Sequence, residues 1–371
     1  MERNSLIPEP LANLPWRFLG TLIMIGIFGA VILYSAAGGS LKPWAGSHLV
    51  RFSVFLVMAV ILSRFSEGFW KDIAFPAYGG ILLLLIGVEL LGKIGGGSQR
   101  WLDLGIIRLQ PSELMKFSIV LALARFYEML PAGQIRGWNA IWPAAVMIGL
   151  PALLILIQPD LGTAMMVVAG GLTIMFLAGL PLRLFVIGGA VVAAALPIVF
   201  SQLHDYQRKR VLIFLDPESD PLGAGYHITQ SKIAIGSGGI FGKGFLNGTQ
   251  SHLDYLPEGH TDFIFATMAE EWGLLGGLLI IGAFLALARW GMTVAERAPS
   301  RFGRLTAAGL TMTIFFYVMI NLLMVMGLAP VVGIPLPLVS HGGTAMMTVL
   351  ICAGILMSID RGTRRQTSLR G

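Results

Sequence analysis

Charge is scarce in this 371-residue chain: Asp, Glu, Lys and Arg make up 12% of it, against 55% for the hydrophobic types. A soluble globular domain carries about 25% charged residues, so this composition excludes a water-soluble fold. Cysteine is nearly absent, and its single copy, Cys352, lies inside a long apolar run. One thiol excludes an intrachain disulfide and any multi-cysteine metal site. The six histidines, His48, His204, His227, His252, His260 and His341, show no H-x-x-x-H pairing, which argues against a zinc centre. Nucleotide motifs are missing as well. In the glycine run GSGGIFGKGFLNG, a Walker loop ending at Gly242-Lys243 needs glycine at 237, where Ser237 stands, and Ser or Thr at 244, where Gly244 stands. A dinucleotide pattern starting at Gly242 meets Asn247 where its third glycine belongs. No nucleotide cofactor is expected. Two readings of the run remain: a flexible interfacial turn, or a nest of backbone N–H groups beside Lys243 that holds a diphosphate.

What the chain has in quantity is apolar length. Stretches of about 17–25 residues, enough to cross ~30 Å of hydrocarbon as helix, recur near 16–36, 49–65, 73–92, 112–130, 139–157, 161–180, 183–203, 263–288, 304–327 and 341–359. This predicts an all-α polytopic membrane protein of about ten transmembrane helices. It forms one integral membrane domain over 1–371, with a large extracytoplasmic loop, about 204–262, between spans 7 and 8. The first stretch is followed by YSAAGGS, like a signal-peptidase site, but its core is longer than a cleavable h-region, so it reads as a retained anchor. Counted over alternate loops, fifteen of the 26 Lys and Arg residues fall on the side holding both termini, which makes that side cytoplasmic. The net charge of +6 is mostly this topogenic bias, so no nucleic-acid partner is implied. Cytoplasmic loops of at most about 17 residues are too short for a nucleotide-binding domain, so the chemistry belongs outside. No ATP is available there. An activated, membrane-borne lipid is the driving force that fits.

Polar residues near the outer boundary are then the candidates. In GSQRWLDLGIIRLQPSELMK, 97–116, Arg100, Arg108, Gln110 and Lys116 break the charge asymmetry, and guanidinium forks match phosphate oxygens. Trp101 reads equally as an interfacial belt residue. Lys116 is either ion-paired with Glu113 at i,i+3 or faces a cavity for an anionic substrate. QPDLG places Gln158 and Asp160 at the lip of two spans, and PVVGIPLPLVSHGG is a proline-rigid loop before the last span. In PEGHTDFIF, 257–265, Glu258, His260, Thr261 and Asp262 precede an apolar run; Asp262 fits both a helix N-cap and a working carboxylate. Gly273 and Gly277 make a G-x-x-x-G face for a partner's single-span anchor or for internal packing.

Together, RWLDLG with QPSE, QPDLGT, DPESDPLGAGYH, QSKIAIGSGG, GTQ, LPEGHTDFIF, EEWG and GIPLPLVSHGG resemble the SEDS family (shape, elongation, division and sporulation), in order and spacing from the first span to the last. The wording is closest to its RodA-type, rod-shape branch. The resemblance implies a peptidoglycan glycosyltransferase that polymerises lipid II into lipid-linked glycan outside the cytoplasmic (inner) membrane of a bacterium. It would work beside a class B penicillin-binding protein that cross-links the product, with other elongation-complex proteins as further partners. The resemblance puts the catalytic aspartate on Asp262, substrate contacts on Trp101, Arg100 and Arg108, and an acidic position eight residues earlier on Asp254. Asp254 and Glu258 are candidates to ligate a cation, Mg or Mn, or to brace the loop. Two departures stand out: Asp254 replaces the family's Glu, and His341 stands where SYGG has Tyr. An α-linked diphosphate donor giving a β-1,4 product requires inversion, hence one base and a stabilised leaving group drawn from Arg100, Arg108, Lys116, Lys243 or a divalent cation. Two other classes compete. A flippase or transporter for polyprenyl-linked precursors predicts internal repeats and midplane charges on broken helices, and a non-catalytic scaffold leaves these positions free to vary.

Overall fold

The structure is a computed structural model that describes residues 14–91, 93–95, 98–103, 108–202, 205–216, 220, 223–253, 255–256 and 258–368. Its helices are α1 (Trp16–Ala36), α2 (Ala45–Leu62), α3 (Glu67–Leu91), α4 (Pro111–Met129), α5 (Trp138–Ile157), α6 (Leu161–Ala178), α7 (Leu182–Gln202), α8 (Asp205–Leu215), α9 (Ala224–Gly238), α10 (Thr249–His252), α11 (Ile264–Arg297), α12 (Arg301–Val325) and α13 (Gly343–Ser368). Between α3 and α4 the segment read as a loop forms three short antiparallel strands, β1 (Lys93–Gly95), β2 (Ser98–Asp103) and β3 (Arg108–Leu109). Their register pairs Lys93 with Trp101 and Asp103 with Arg108.

Eight of these helices, α1, α2, α3, α5, α6, α11, α12 and α13, are long and apolar enough to cross a membrane, so the chain is a multi-pass membrane protein. Two of the ten expected spans fall outside that group for identifiable reasons. The apolar part of α7 is Leu182–Ala195, and α4 carries Glu113, Lys116, Arg125 and Glu128. Yet 13 of the 19 residues of α4 are buried. It is a central helix whose charges are neutralised inside the protein, and a hydropathy average misreads it. Around it pack α3, α6 and α12, while α13 lies against α2, and α11 against α12, α9 and α1.

The charges of α4 form the core's main polar contact. Lys116 donates to Glu113 Oε1 at 2.6 Å and to the Tyr317 hydroxyl of α12 at 2.9 Å. Tyr317 donates to Glu113 Oε2, and Thr348 of α13 reaches the same oxygen at 3.4 Å. The Lys116 side chain is 1% exposed. The phosphate-facing role expected for Lys116 therefore gives way to the ion-pair reading. Three helices, α4, α12 and α13, thus share one buried polar contact within a common hydrophobic core. Near the far ends of the same helices, Lys71 bridges Glu67 and Glu128 at 2.9 and 2.7 Å, and Ser300, the N-cap of α12, donates to Glu67 at 2.5 Å.

Breaking a buried pair leaves one charge uncompensated. Lys116→Met should therefore lower stability in detergent by about 3–5 kcal/mol, and Lys116→Met with Glu113→Gln should recover most of that loss. Equilibrium unfolding of the purified variants checks both.

Candidate active site

The turn before α11 is held by its carbonyls. Gly259 C=O accepts from Thr267 Oγ1 at 3.0 Å, His260 C=O from the His341 N–H at 3.0 Å, Thr261 C=O from Ser340 Oγ at 2.7 Å, and Asp262 C=O from Asn321 Nδ2 at 2.8 Å. Four consecutive carbonyls thus bond to α11, to α12 and to the 340–341 stretch before α13. Asn321 is fully buried and also donates to Ile334 C=O at 2.7 Å, so one amide ties the Asp262 turn to the proline-rich loop. Inside the turn, the Phe263 and Thr261 amides donate to Glu258 C=O at 3.2 and 3.0 Å. The N-cap position of α11 belongs to Phe263, with no side-chain cap bond. The cap reading of Asp262 therefore loses its footing, and the carboxylate lies next to Gly333, where a Cβ would stand 3.6 Å from Asp262 Oδ2. Gly333 has φ +72, a conformation that favours glycine, and this keeps the space beside the carboxylate open.

The remaining side chains of the turn define its surroundings. His260 stacks on Trp44 with centroids 4.1 Å apart and planes 9° apart, and His341 lies 6.4 Å from His260. Thr261 Oγ1 donates to Glu258 Oε2. Arg51 of α2 lies along the first residue of α13, its Nη1 3.6 Å from where a Gly343 Cβ would be. Burial holds the His260 imidazole below its ordinary range, only partly offset by Glu258. Burial, then the positive charge of Arg51 and the neighbouring His260 and His48, push His341 down to about 4. Both rings are neutral near pH 7, so His341 supplies no cation there and no hydroxyl either.

Two other expected residues join this end of the bundle through their side chains. Gln110 Nε2 donates to Asp160 Oδ2 at 3.1 Å, and Asp160 Oδ1 caps α6 by accepting from the Thr163 amide at 3.1 Å. Both side chains are buried. A Cβ on Gly162, two residues on, would meet Val332 C=O at 2.8 Å, so the α6 N-terminus is pressed against the 331–334 loop that borders Asp262. Gln110 and Asp160 thus brace the site from behind, in contact with each other. Trp101 is half-buried on β2; Arg100 lies on β2, and Arg108 opposite Asp103 on β3. Asp254 lies outside the described residues.

Lys243 is also spent internally. Its ammonium donates to Glu270 Oε1 at 2.6 Å and to Thr249 Oγ1 at 2.7 Å, and Glu270, fully buried, also accepts from the Thr249 and Gln250 amides at 2.9 and 3.0 Å. The glycine run is no anion nest: the Gly242, Lys243 and Gly244 amides donate to the carbonyls of Gly238, Glu270 and Glu271. The reason is a break in α11 at Gly273 (φ 62, ψ −160), which frees helix carbonyls for the run to bond. Gly273 would clash with Gly242 N at 2.4 Å if it carried a Cβ, and buried Gly277 faces Phe265 at 3.4 Å. The G-x-x-x-G face is occupied within this chain, in line with the internal-packing reading of the two glycines. A broken helix also belongs to the transporter expectation, but here its charges close on themselves.

Among the described residues, no group of three or more His, Cys, Asp and Glu side chains is placed to hold a metal ion. Glu258 is engaged by Thr261, its expected companion Asp254 lies outside the described residues, and no step below runs through a metal. Sequence reading missed Asn321, Ser340, Trp44 and Arg51 as parts of this site. Arg51 alone carried a signal, as a further cation on the side that charge asymmetry disfavours.

Because His341 has a depressed pKa in the folded state, an unfolded chain binds a proton below about 6.5 that the folded one refuses until about 4. Stability should be full above pH 6.5 and fall as pH drops towards 4. Thermal unfolding across that range should show this fall, and His341→Tyr should make it shallower, leaving the share that His260 contributes.

Three comparisons bear on this geometry. Residues 15–365 match the family model of the FtsW/RodA/SpoVE proteins, described as cell cycle proteins. The chain is 47% identical over 344 residues to the peptidoglycan glycosyltransferase MrdB of Escherichia coli (strain K12), covering 91% of each chain. It is 31% identical over 426 residues to the peptidoglycan glycosyltransferase RodA of Treponema pallidum, covering 94% of this chain and 98% of that one. Among solved structures, it resembles a chain of a peptidoglycan synthase complex that coordinates polymerization and crosslinking, with TM-score 0.82, 32% identity and coverage of 94% and 98%. The rod shape determining protein RodA of Thermus thermophilus matches with TM-score 0.70, 29% identity and coverage of 94% and 97%. A match across nearly the whole length, at these identities and with the same fold, places the chain in the FtsW/RodA/SpoVE family of cell cycle proteins, the SEDS family that its motifs resemble.

Proposed function

We propose that this protein is a RodA-type peptidoglycan glycosyltransferase that polymerises lipid II, with Asp262 as its general base. The relatives' names supply the reaction class. The observation that carries the residue assignment is the four-carbonyl clamp, which fixes the backbone of a carboxylate that no longer serves as a helix cap. In one in-line displacement, Asp262 takes the proton of the acceptor 4-hydroxyl, the C1–O4 bond forms, and the bond from C1 to the diphosphate oxygen breaks with inversion. The lipid diphosphate departs as the leaving group. Arg100 and Arg108, on the small sheet, remain the cations for that diphosphate, whereas Lys116 and Lys243 are neutralised by Glu113 and Glu270. Both termini are cytoplasmic and the Asp262 turn is extracytoplasmic in this reading, as the charge bias of the loops requires. A class B penicillin-binding protein is the partner, in keeping with a structural relative that belongs to a complex coordinating polymerization and crosslinking.

Asp262→Asn is the decisive variant, since Asn is nearly isosteric and keeps the backbone clamp while removing the base. Polymerisation of purified lipid II should fall by about 10²–10⁴, with the protein still monodisperse and its unfolding temperature unchanged. A variant that polymerises at near wild-type rate would reject Asp262 as the base.

A further inference from the structure

The segment that follows α9 looks, by sequence, like part of a polar loop in water, but the structure places it against a membrane span. The Leu274 and Leu275 amides of α11 donate to Gly239 and Ile240 C=O at 2.9 and 3.2 Å, and the Lys243 and Gly244 amides donate back to Glu270 and Glu271 C=O at 2.9 and 3.0 Å. Residues 239–244 therefore lie level with residues 270–275 of a helix long and apolar enough to cross the bilayer. From Leu275 to Arg289, α11 runs 14 residues, about 21 Å at 1.5 Å per residue. Arg289 is exposed, and such a side chain seeks the headgroups at its own end of the span. With ~30 Å of hydrocarbon to cross, the level of Ile240 falls roughly 9 Å inside the opposite boundary.

The surface chemistry agrees with that depth. Ile240 is 59% exposed and Phe241 78%, a cost in water that acyl chains remove. They adjoin the exposed stripe of Leu274, Leu275, Leu278 and Leu279 on α11, so the apolar surface of the span continues onto the turn without a polar seam. Irregular backbone survives in hydrocarbon only if its polar groups are satisfied by protein. Here the carbonyls of residues 238–240 and the amides of residues 242–244 all have protein partners. The cation of the turn, Lys243, is matched by a fully buried glutamate. A solvated loop would need none of this.

We propose that residues 239–244 form a membrane-immersed re-entrant turn whose Ile240 and Phe241 side chains contact lipid acyl chains in the leaflet nearer the Asp262 turn. This turn fills the gap that the break at Gly273 opens in α11, and it anchors the half-helix Ile264–Trp272, which follows Asp262, at a fixed depth. The inference concerns lipid contact and stands apart from the glycosyltransferase reading.

Nitroxide labels test it in the full chain with buried Cys352 replaced by alanine. Single cysteines go at Ile240 and Phe241, with Leu278 as the lipid-facing reference and Lys209, whose side chain is 69% exposed, as the aqueous one. The labelled proteins are reconstituted into phosphatidylethanolamine–phosphatidylglycerol vesicles, and collision rates are measured with molecular oxygen and with a water-soluble nickel chelate. Labels at 240 and 241 should give oxygen-to-nickel ratios nearer to that of Leu278. Ratios nearer to that of Lys209 would overturn the proposal and return the turn to water. Labelling at Phe241 and at Ile240 are independent variants, so a misfolded sample at one leaves the other to decide.

Discussion

The site rests on the four successive carbonyls of residues 259–262, each taken by a donor from elsewhere in the fold. The stretch that leads into α11 has many conformations when unheld, and a carboxylate on an unclamped turn would spend most of its time misplaced. Donors on α11, on α12 and ahead of α13 remove that freedom together. The proline-rich 330–343 loop acquires its meaning from the same bonds. It presents the Ser340 hydroxyl and the His341 amide to the turn, receives Asn321 at Ile334, and leaves Gly333 open beside Asp262.

Below this layer, three sets of polar residues inside the bundle are satisfied by one another. Glu113 with Lys116 and Tyr317, Asp160 with Gln110, and Glu270 with Lys243 each include at least one residue that in isolation reads as a candidate substrate contact. An ionised group in hydrocarbon is costly unless paired, so most such residues in a bundle must find partners within it. Arg51, beside the site, makes no ion pair among the described residues, and Arg100 and Arg108 lie on the small sheet.

Much of this was legible in the sequence. Apolar length gave eight of the ten expected spans, and motif wording gave the family and singled out Asp262. The charge asymmetry pointed to the segment that carries Arg100 and Arg108. What stayed hidden depends on long-range contact. Asn321 sits in the apolar pattern INLLMVM and looks like an incidental polar residue until α12 is placed beside the Asp262 turn. The glycine run left a phosphate nest open beside a flexible turn because sequence cannot say where its amides point, and they point at a helix broken at Gly273. Lys116 and Lys243 were misread for a related reason: a lysine's role is set by the nearest carboxylate, and Glu270 lies 27 residues from Lys243 in the chain.

The most direct test of the clamp is to loosen it without touching Asp262. Steady-state polymerisation of lipid II should be measured for the Asn321→Leu, Ser340→Ala double variant, alongside deuterium uptake of the 256–264 peptide. Uptake in that peptide should rise and kcat should fall by about 10²-fold, the cost of displacing a reacting group by an ångström, with little change in the lipid II concentration at half-maximal rate. Raised uptake with an unchanged kcat would contradict the claim that the carbonyl clamp sets the position of the catalytic carboxylate.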